Sequence, residues 1–388
     1  MKGGSMPAWS PSRALPNSMR TRRHIGGPCR SKNSVVVCQA ASRQSNKTAI
    51  VVGAGIIGLT TTLRLLEHGY DVTCVAENVD GDPNKGVASG GAGGLWFPYL
   101  CESTERTGRW ANETSREYED ILAKGLGFEE HGVALKKVWQ NYSPGNEIPP
   151  WAPDFPSFEL LTLAQVEERY GPEGPEYDID AKDFLAYQFE APIVQVDIFL
   201  GYLRDRIAAL GGRLRRQRVD GPIEELEGDL LVNCAGLGNA TRYEGLEQDG
   251  KMKPVRGQII HCKNQAHITE AVTIGAGDEG AYMIPRGDVI VYGGTSDENE
   301  FDTGVSQDVV EDIIRRCKKL LPKKYTDRME VVGHWVGLRP FREGEVRVEG
   351  RRLDDGRVVV NNYGHGGSGF TLCYGCADEV VRLASNLK

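Results

Sequence analysis

An arginine stands inside an apolar run near the C-terminal end of the sequence. In VGLRP, Arg339 follows Leu338 and precedes Pro340, and the residues before it predict a buried strand. Burying a guanidinium costs on the order of several kcal/mol unless an anion meets it. A carboxylate suits this role, because the two planar groups form parallel hydrogen bonds that also fix their orientation. Arg339 is therefore a candidate for binding a carboxylate ligand, and the alternative is an ion pair with an internal Asp or Glu.

Glycines in VVGAGIIG have the spacing that lets a backbone approach a phosphate group. Gly53, Gly55 and Gly58 form the pattern G-x-G-x-x-G. The first permits a tight turn, the second allows close approach, and the third packs the following helix, whose first amides attract phosphates. Glu77 lies nineteen residues beyond Gly58, at the end of the next predicted strand, where a carboxylate accepts ribose hydroxyls. The segment predicts a dinucleotide-binding unit, and NAD and FAD both fit it.

The elements that carry these residues alternate along the chain. Strand, glycine turn and helix follow one another in three places, and a proline-rich aromatic region and a mixed region separate them. We expect an α/β fold in which a discontinuous Rossmann-like nucleotide domain is interleaved with a discontinuous mixed-sheet α+β substrate domain. The predicted boundaries are 47–100, 191–250 and 330–388 for the first domain, and 101–190 and 251–329 for the second.

Composition excludes several classes of partner. With 388 residues, 40% apolar and 26% charged, the chain has the make-up of a folded soluble protein of about two domains. Its net charge of -8 argues against a nucleic-acid partner. The longest apolar run, residues 49–66, contains three glycines and Arg64, so we expect no membrane-spanning helix.

The nine cysteines are scattered and lack the regular spacing of a disulfide framework, which indicates a reducing compartment. Cys373 and Cys376 form C-x-x-C on a predicted helix, without a second pair nearby for zinc. We interpret them as two buried thiols rather than a redox couple, and we predict no metal site.

The first 66 residues contain no Asp or Glu and many Arg and Ser. This composition is typical of an organelle transit peptide, which we place at residues 1–46, with a plastid favoured over a mitochondrion. An unstructured basic tail is the alternative. The C-terminal ASNLK is not the Ser-Lys-Leu signal of peroxisomal import.

Five segments, in order, resemble the D-amino-acid oxidases, FAD enzymes that include the D-aspartate oxidases. The resemblance extends from about Ala49 to Leu387 and implies FAD as the cofactor of the nucleotide domain. The segments are ASGGAGGLWFPY at 88–99, PVRGQI at 254–259, AYMIPR at 281–286, VGLRP at 336–340 and NYGHGGSGFTLCYGCA at 362–377.

The resemblance also implies roles for single residues. Arg339 would hold the substrate carboxylate, the hydroxyl of Tyr282 would assist it, and the carbonyl of Gly367 would accept from the substrate amine. For His365, a structural hydrogen bond is favoured over a role as general base. The residues implied to contact FAD are Gly53, Ala54, Gly55, Ile57, Gly58, Glu77, Ser89, Gly93, Gly94, Leu95, Trp96, Val219, Arg339, Gly366, Gly367, Ser368, Gly369, Phe370 and Thr371.

The implied activity is oxidative deamination of D-amino acids by hydride transfer from Cα to flavin N5. Oxygen is the second substrate, and the products are hydrogen peroxide, ammonia and a 2-oxo acid. Neutral side chains are expected, because Ser296 stands where D-aspartate oxidases carry arginine, and because Asp278 and Glu279 near the predicted mouth would repel acids.

Three other functions remain open at this point. They are oxidation of glycine or sarcosine, flavin binding without turnover, and, less favoured, an NAD-dependent dehydrogenase. The sequence leaves the oligomeric state open, a homodimer included.

Overall fold

The computed structural model describes residues 47–80, 88–142, 147–171, 185–240, 248–265, 267–275 and 280–387. The predicted leader, residues 1–46, and the two acids Asp278 and Glu279 lie outside the described residues.

Fifteen strands and eight helices are assigned among the described residues. The strands are β1 Thr48–Val52, β2 Asp71–Ala76, β3 Val133–Tyr142, β4 Glu159–Leu160, β5 Leu185–Val194, β6 Arg213–Arg216, β7 Leu230–Asn233, β8 Met252–Lys263, β9 Ala271–Ile274, β10 Ala281–Arg286, β11 Val289–Gly293, β12 Asp297–Glu298, β13 Val331–Arg342, β14 Arg347–Arg352 and β15 Val358–Tyr363. The helices are α1 Ile56–Glu67, α2 Glu105–Ala123, α3 Phe128–His131, α4 Leu163–Tyr170, α5 Val196–Ala209, α6 Gln307–Leu320, α7 Lys323–Thr326 and α8 Gly369–Asn386.

The first sheet has the order β14-β15-β7-β1-β2-β6. Its strands are parallel except for the β14–β15 pair. The apolar runs of β1, β7 and β15 are buried, as expected for parallel strands with helices on the sheet. α1 connects β1 to β2 and packs against α5 and α8. The glycine turn after β1 therefore lies at the carboxyl edge of this sheet.

The second sheet is mixed and has nine strands in the order β12-β8-β11-β10-β9-β3-β5-β4, with β13 paired to β8. Its long strands β8 and β13 pair antiparallel over eleven positions of register, from Val331 with Cys262 to Arg342 with Met252. Both sheets contribute to one cluster of buried apolar residues that also includes α1, α2, α5 and α8. The fold is thus mixed α/β, as predicted.

Two features differ from expectation. α2 was not expected within the proline-rich aromatic region. Its inward face uses Thr114, Ser115 and Ala111 between its few apolar residues, which weakens the apolar periodicity that predicts a helix. β13 pairs with β8 in the second sheet, although residues 330–388 were assigned to the nucleotide domain. The chain therefore returns from the second sheet to the first after β13, and not before it.

Among the described residues, no helix combines the length and the apolar character that a membrane span requires. Within the same residues, no cluster of His, Cys, Asp and Glu has the arrangement of a metal site. Cys373 and Cys376 are free thiols buried in α8, and burial raises the pKa of Cys373 to about 12. Their environment agrees with the interpretation as buried thiols.

Candidate active site

A cavity of about 780 Å³ extends from the glycine turn after β1 to the face of the second sheet. Its lining includes the loop at residues 88–97, strands β8, β10 and β13, and the loop before α8. Among the Asp, Glu, Lys and Arg residues in the described part of the chain, two line this cavity, namely Glu77 and Arg339. Glu77 follows β2 of the first sheet and Arg339 lies on β13 of the second.

The glycine turn has the geometry that the sequence predicted. Gly53 has φ +106°, and a Cβ there would lie 2.4 Å from the carbonyl oxygen of Cys234. A Cβ at Gly58 would lie 1.7 Å from the oxygen of Gly53, so this glycine packs the helix on the turn and does not line the cavity. Gly55 is the N-cap of α1 without a capping side chain, and Ser89 Oγ accepts from Ile56 N–H at 3.0 Å.

The loop at residues 88–97 presents backbone to the cavity. Gly93, Gly94 and Leu95, three of the residues expected to contact FAD, line it. Trp96 does not, because its ring is fully buried and Nε1 donates to the carbonyl of Ala111 at 3.1 Å. The alternation of side chains along this extended segment points Trp96 into the core, so its side chain does not line the cavity in which FAD is expected.

Two hydroxyls at the start of α8 face the loop instead of the cavity. Ser368 Oγ donates to Tyr99 O and accepts from Tyr99 N–H, both at 2.7 Å. Thr371 Oγ1 makes the same pair of bonds with Phe97, at 2.9 and 3.1 Å. Neither residue lines the cavity, so their predicted direct contacts with FAD are not found. They fasten the loop to the helix instead.

The glycine-rich loop before α8 lines the cavity with its backbone. A Cβ at Gly366, φ +54°, would lie 2.0 Å from Leu100 O, and one at Gly367 would lie 2.5 Å from the Tyr99 ring. The remaining predicted contacts in the lining are Ala54, Ile57, Gly369 and Phe370. Val219 is outside it and packs in a small apolar cluster on the first sheet.

The guanidinium of Arg339 is half-buried and has no carboxylate within ion-pair distance among the described residues. Nη1 donates to the carbonyls of Thr295 at 3.0 Å and Arg256 at 3.3 Å. The Tyr99 ring lies with its centroid 5.6 Å from the guanidinium carbon. The internal ion pair considered from the sequence is therefore not found, and donors of Arg339 remain for a ligand.

The hydroxyl of Tyr282 lies beside this guanidinium. Desolvation raises the pKa of Tyr282 and the positive charge of Arg339 lowers it by less, so the net shift is upward. A phenol with a raised pKa stays protonated and can donate a hydrogen bond to a carboxylate. The two residues that the family resemblance assigned to one carboxylate thus lie together.

Two glycines let both side chains lie flat on the second sheet. A Cβ at Gly257 of β8 would lie 2.3 Å from Arg339 Nη2, and a Cβ at Gly293 of β11 would lie 2.2 Å from Tyr282 Oη. Strands β13, β8, β11 and β10 are neighbours in this order. The glycines therefore form the floor on which the guanidinium and the phenol rest.

A buried arginine on α6 supports the same region from behind. Arg316 is 4% exposed and donates to the carbonyls of Gly280 and Gly294, the latter at 3.0 Å from Nη2. Its Nε donates to Asp312 at 2.7 Å. Gly280 and Gly294 both line the cavity next to Tyr282, so Arg316 positions the backbone on either side of that residue.

A second buried arginine joins the second sheet to the glycine-rich loop. Arg286 of β10 donates to Ala92 O at 2.9 Å and to His261 Nε2 at 3.1 Å. Desolvation, and then the positive charge of Arg286, lower the pKa of His261 to about 4, so the ring is a neutral acceptor. Sequence reasoning did not find this contact, because a strand residue and a loop residue 194 positions apart carry it.

His365 is 2% exposed and lines the cavity, but its Nε2 has no hydrogen-bond partner among the described residues. Burial lowers its pKa to about 3. Such a ring is a weak base near neutral pH, which argues against a general-base role. The structural side-chain hydrogen bond predicted for His365 is not found either. Its backbone instead forms a bridge with Phe341 of β13.

These observations fit FAD. Gly55 at the N-cap of α1 has no side chain, Ser89 Oγ accepts from Ile56 N–H, and Gly55, Ile56 and Ile57 line the cavity. The start of the helix therefore faces the cavity where an anionic pyrophosphate would bind. Glu77 lies at the end of β2, where a ribose hydroxyl would donate to it. The same cavity continues along glycine-rich backbone to Arg339, with room for a flat ring system beside a carboxylate site.

Comparison with known proteins places the chain in a family. Residues 48–383 match the family of FAD dependent oxidoreductases. The chain is 34% identical over 337 residues to the D-amino-acid oxidase of Dictyostelium discoideum, covering 86% of this chain and 90% of that protein. It is 33% identical over 338 residues to the D-amino-acid oxidase of Streptomyces coelicolor, with coverage of 87% and 96%.

Among solved structures, the glycine oxidase of Geobacillus kaustophilus is similar, with a TM-score of 0.69 and 19% identity over 88% of this chain and 94% of that chain. At this identity the likeness concerns the fold. The family match covers nearly all of the described residues and includes both the glycine turn and the arginine strand. The chain therefore belongs to the family of FAD-dependent oxidoreductases that includes the D-amino-acid oxidases.

Proposed function

We propose that the protein is a D-amino-acid oxidase, which uses FAD and molecular oxygen to deaminate D-amino acids. The observation that carries this proposal is the half-buried guanidinium of Arg339, which faces the cavity beside Tyr282 and has no internal carboxylate partner among the described residues. The named activity of the relatives at 33–34% identity supports it.

The residues of this chain bind and orient the substrate. Arg339 donates two parallel hydrogen bonds to the substrate carboxylate, which offset the cost of its burial. Tyr282 adds a third donor, and the carbonyl of Gly367 accepts from the amine. With carboxylate and amine fixed, the side chain has one direction open to it, so a single enantiomer presents its Cα hydrogen to the cofactor.

Bound FAD supplies the acceptor for the hydride that leaves Cα and passes the electrons on to oxygen. The protein excludes water from that site with apolar side chains. Those in the lining include Leu95, Phe97, Ile259, Ile284, Trp335 and Leu338. Loss of the hydride and of a proton from nitrogen leaves an imino acid, which water hydrolyses to ammonia and a 2-oxo acid after it leaves the site. Oxygen takes up the two electrons and two protons and becomes hydrogen peroxide.

Neutral side chains are the proposed preference. Within the described lining, Arg339 is the single Lys or Arg, and the substrate carboxylate occupies it. An acidic side chain would lose its hydration without a second cation to offset the loss. Ser296, which lines the cavity, supplies no such charge.

An anaerobic absorbance spectrum of the FAD-loaded protein tests the proposal. D-alanine is expected to bleach the flavin bands and L-alanine to leave them unchanged. The variant Arg339→Met, with FAD bound, is expected to need a far higher D-alanine concentration. Bleaching by glycine or sarcosine but not by D-alanine would indicate a glycine-type oxidase, and no bleaching by any of them would indicate flavin binding without turnover.

A further inference from the structure

A row of paired residues crosses the second sheet next to the carboxylate site. Tyr282 of β10 pairs with Thr273 of β9, and Thr273 pairs with Gln140 of β3. Directly paired residues project from the same face of a sheet, with Cβ atoms about 4.5–5.5 Å apart. All three line the cavity, so Thr273 and Gln140 extend its wall beyond Tyr282.

Gln140 is polar, buried and incompletely bonded. It is 1% exposed, and its Nε2 has no hydrogen-bond partner among the described residues. A buried amide without a partner is unfavourable, and native proteins usually supply one from a side chain, water or ligand. Because Gln140 lines the cavity, a ligand there can supply the missing acceptor.

The distance suits a substrate side chain. Tyr282 leans over Gly293 towards Arg339, so the carboxylate site lies on the side of Tyr282 that is opposite to Thr273. Two strand spacings, about 10 Å, separate the backbones of Tyr282 and Gln140. Two side chains that each end in a carboxamide after two methylenes, one from Gln140 and one from the substrate, span a distance of this order.

The end of the cavity near Gln140 has no charged lining residue among those described. Besides Gln140 and Thr273, the described lining residues there include Ile274, Gly275, Gly280 and Ala281. A carboxylate placed there would be desolvated without a cation to offset the loss, and an apolar end group would leave Gln140 Nε2 without an acceptor. An uncharged group that both donates and accepts hydrogen bonds meets neither penalty.

We propose that Gln140 is a specificity-determining residue and that it favours a D-amino acid whose side chain ends in a carboxamide after two methylenes, namely D-glutamine. The inference rests on the proposed function and goes further, since it separates polar from apolar substrates within the neutral class. Thr273 stands between Gln140 and Tyr282 and forms the wall along which the side chain passes.

The test compares kcat/KM of the FAD-loaded wild type and Gln140→Leu on D-glutamine, D-methionine, D-glutamate and D-alanine. D-methionine has a similar length but offers no carboxamide. The wild type is expected to prefer D-glutamine over D-methionine by about fivefold, the worth of one neutral hydrogen bond. In Gln140→Leu that preference is expected to disappear, with a loss on D-glutamine about fivefold larger than any change on D-alanine.

Gln188→Leu is the matched control. Gln188 lies on the neighbouring strand β5, next to Tyr187, which pairs with Gln140, so it projects from the opposite face. Its Nε2 donates to Glu159 at 2.6 Å outside the cavity. The ratio of D-glutamine to D-methionine turnover is expected to stay the same in this variant. Gln140→Met, which keeps the side-chain length, serves in place of Gln140→Leu if the latter fails to retain FAD.

Three outcomes overturn the proposal. An equal fall on all four substrates would assign Gln140 a structural role, and an unchanged ratio would show that it does not face the substrate side chain. A wild type that prefers D-methionine also contradicts it. If D-alanine itself fails to reduce the flavin, the proposed function is wrong and the inference falls with it. The measurement with D-alanine thus distinguishes failure of the proposed function from failure of the inference about Gln140.

Discussion

The variant Gly257→Ala is a sharp test of how the carboxylate site is built. A Cβ at Gly257 would lie 2.3 Å from Arg339 Nη2 and 2.4 Å from both Cζ and Nη1. Non-bonded heavy atoms prefer separations of about 3.5–4.0 Å. The backbone of β8 is held by its pairing with β13, where Gly257 stands opposite Gly337. The side chain of Arg339 must therefore withdraw, by roughly 1 Å or more.

That displacement is enough to break the proposed carboxylate contacts. A hydrogen bond of about 2.9 Å lengthened by 1 Å no longer meets the geometric criteria. A hydrogen bond to a charged group contributes about 1.5–3 kcal/mol, so the loss of two lowers kcat/KM by at least about 100-fold. The loss should appear mainly in KM and in the affinity for benzoate, a carboxylate without an α-hydrogen, read from the flavin spectrum.

Gly333→Ala in β13 is the matched control, since its Cβ would meet His261 atoms at 3.7 and 3.9 Å, which is ordinary contact. It is expected to keep kcat/KM on D-alanine within about twofold of the wild type, because it moves nothing that lines the cavity. Both variants should retain FAD. If Gly257→Ala with FAD bound keeps its kcat/KM within about threefold, the guanidinium does not rest where the strand places it, and the reasoning fails.

Three further predictions follow from the same region. Tyr282→Phe, with FAD retained, is expected to raise KM for D-alanine by about tenfold, through loss of one donor to the carboxylate, and to abolish any alkaline fall in kcat/KM that begins above pH 10. Arg316→Leu should raise KM without changing the affinity for FAD, and Arg316→Lys should restore part of the loss, whereas unchanged kinetics would refute a positioning role. The folded protein holds His365 neutral, with a pKa of about 3 against 6.5 for a free ring, so its contribution to stability is complete above pH 6.5 and is lost as the pH falls. At pH 4.5 this loss amounts to about 3 kcal/mol, and a thermal-unfolding series should show a shallower acid dependence for His365→Asn in the apoprotein.

Local signals carried the parts of the fold and site that the sequence predicted correctly. The turn at Gly53 depends on a positive φ and on close packing with Cys234, both of which demand glycine at that position. Arg339 was recognisable because a cation in an apolar strand requires a partner. Neither inference needed knowledge of which strands are neighbours.

The parts that were missed depend on contacts between distant segments. Ser368 and Thr371 have types that suit a flavin, yet their hydroxyls bond Tyr99 and Phe97, about 270 residues away in the chain. The direction of these two side chains depends on how α8 is rotated about its axis against the loop, and no local sequence pattern predicts that rotation. Gln140 carried no signal either, since β3 also contains Lys136, Lys137 and Asn141, and one polar residue among several does not mark a ligand-binding position.

The register of the second sheet brings single residues together into the proposed carboxylate site. Arg339 and Tyr282 lie on strands β13 and β10, and the glycines beneath them lie on β8 and β11, which stand between those two strands. Because side chains alternate between the faces of a sheet, a slip of one residue in either pairing would move one of the two groups to the opposite face. Arg339 pairs with Val255 of β8, and Gly257 lies two residues further along β8 on the same face. The arginine of VGLRP thus predicts carboxylate binding only together with a glycine at that position of β8. A chain with the same arginine and a larger residue in place of Gly257 should lack this carboxylate site, although its arginine motif is intact.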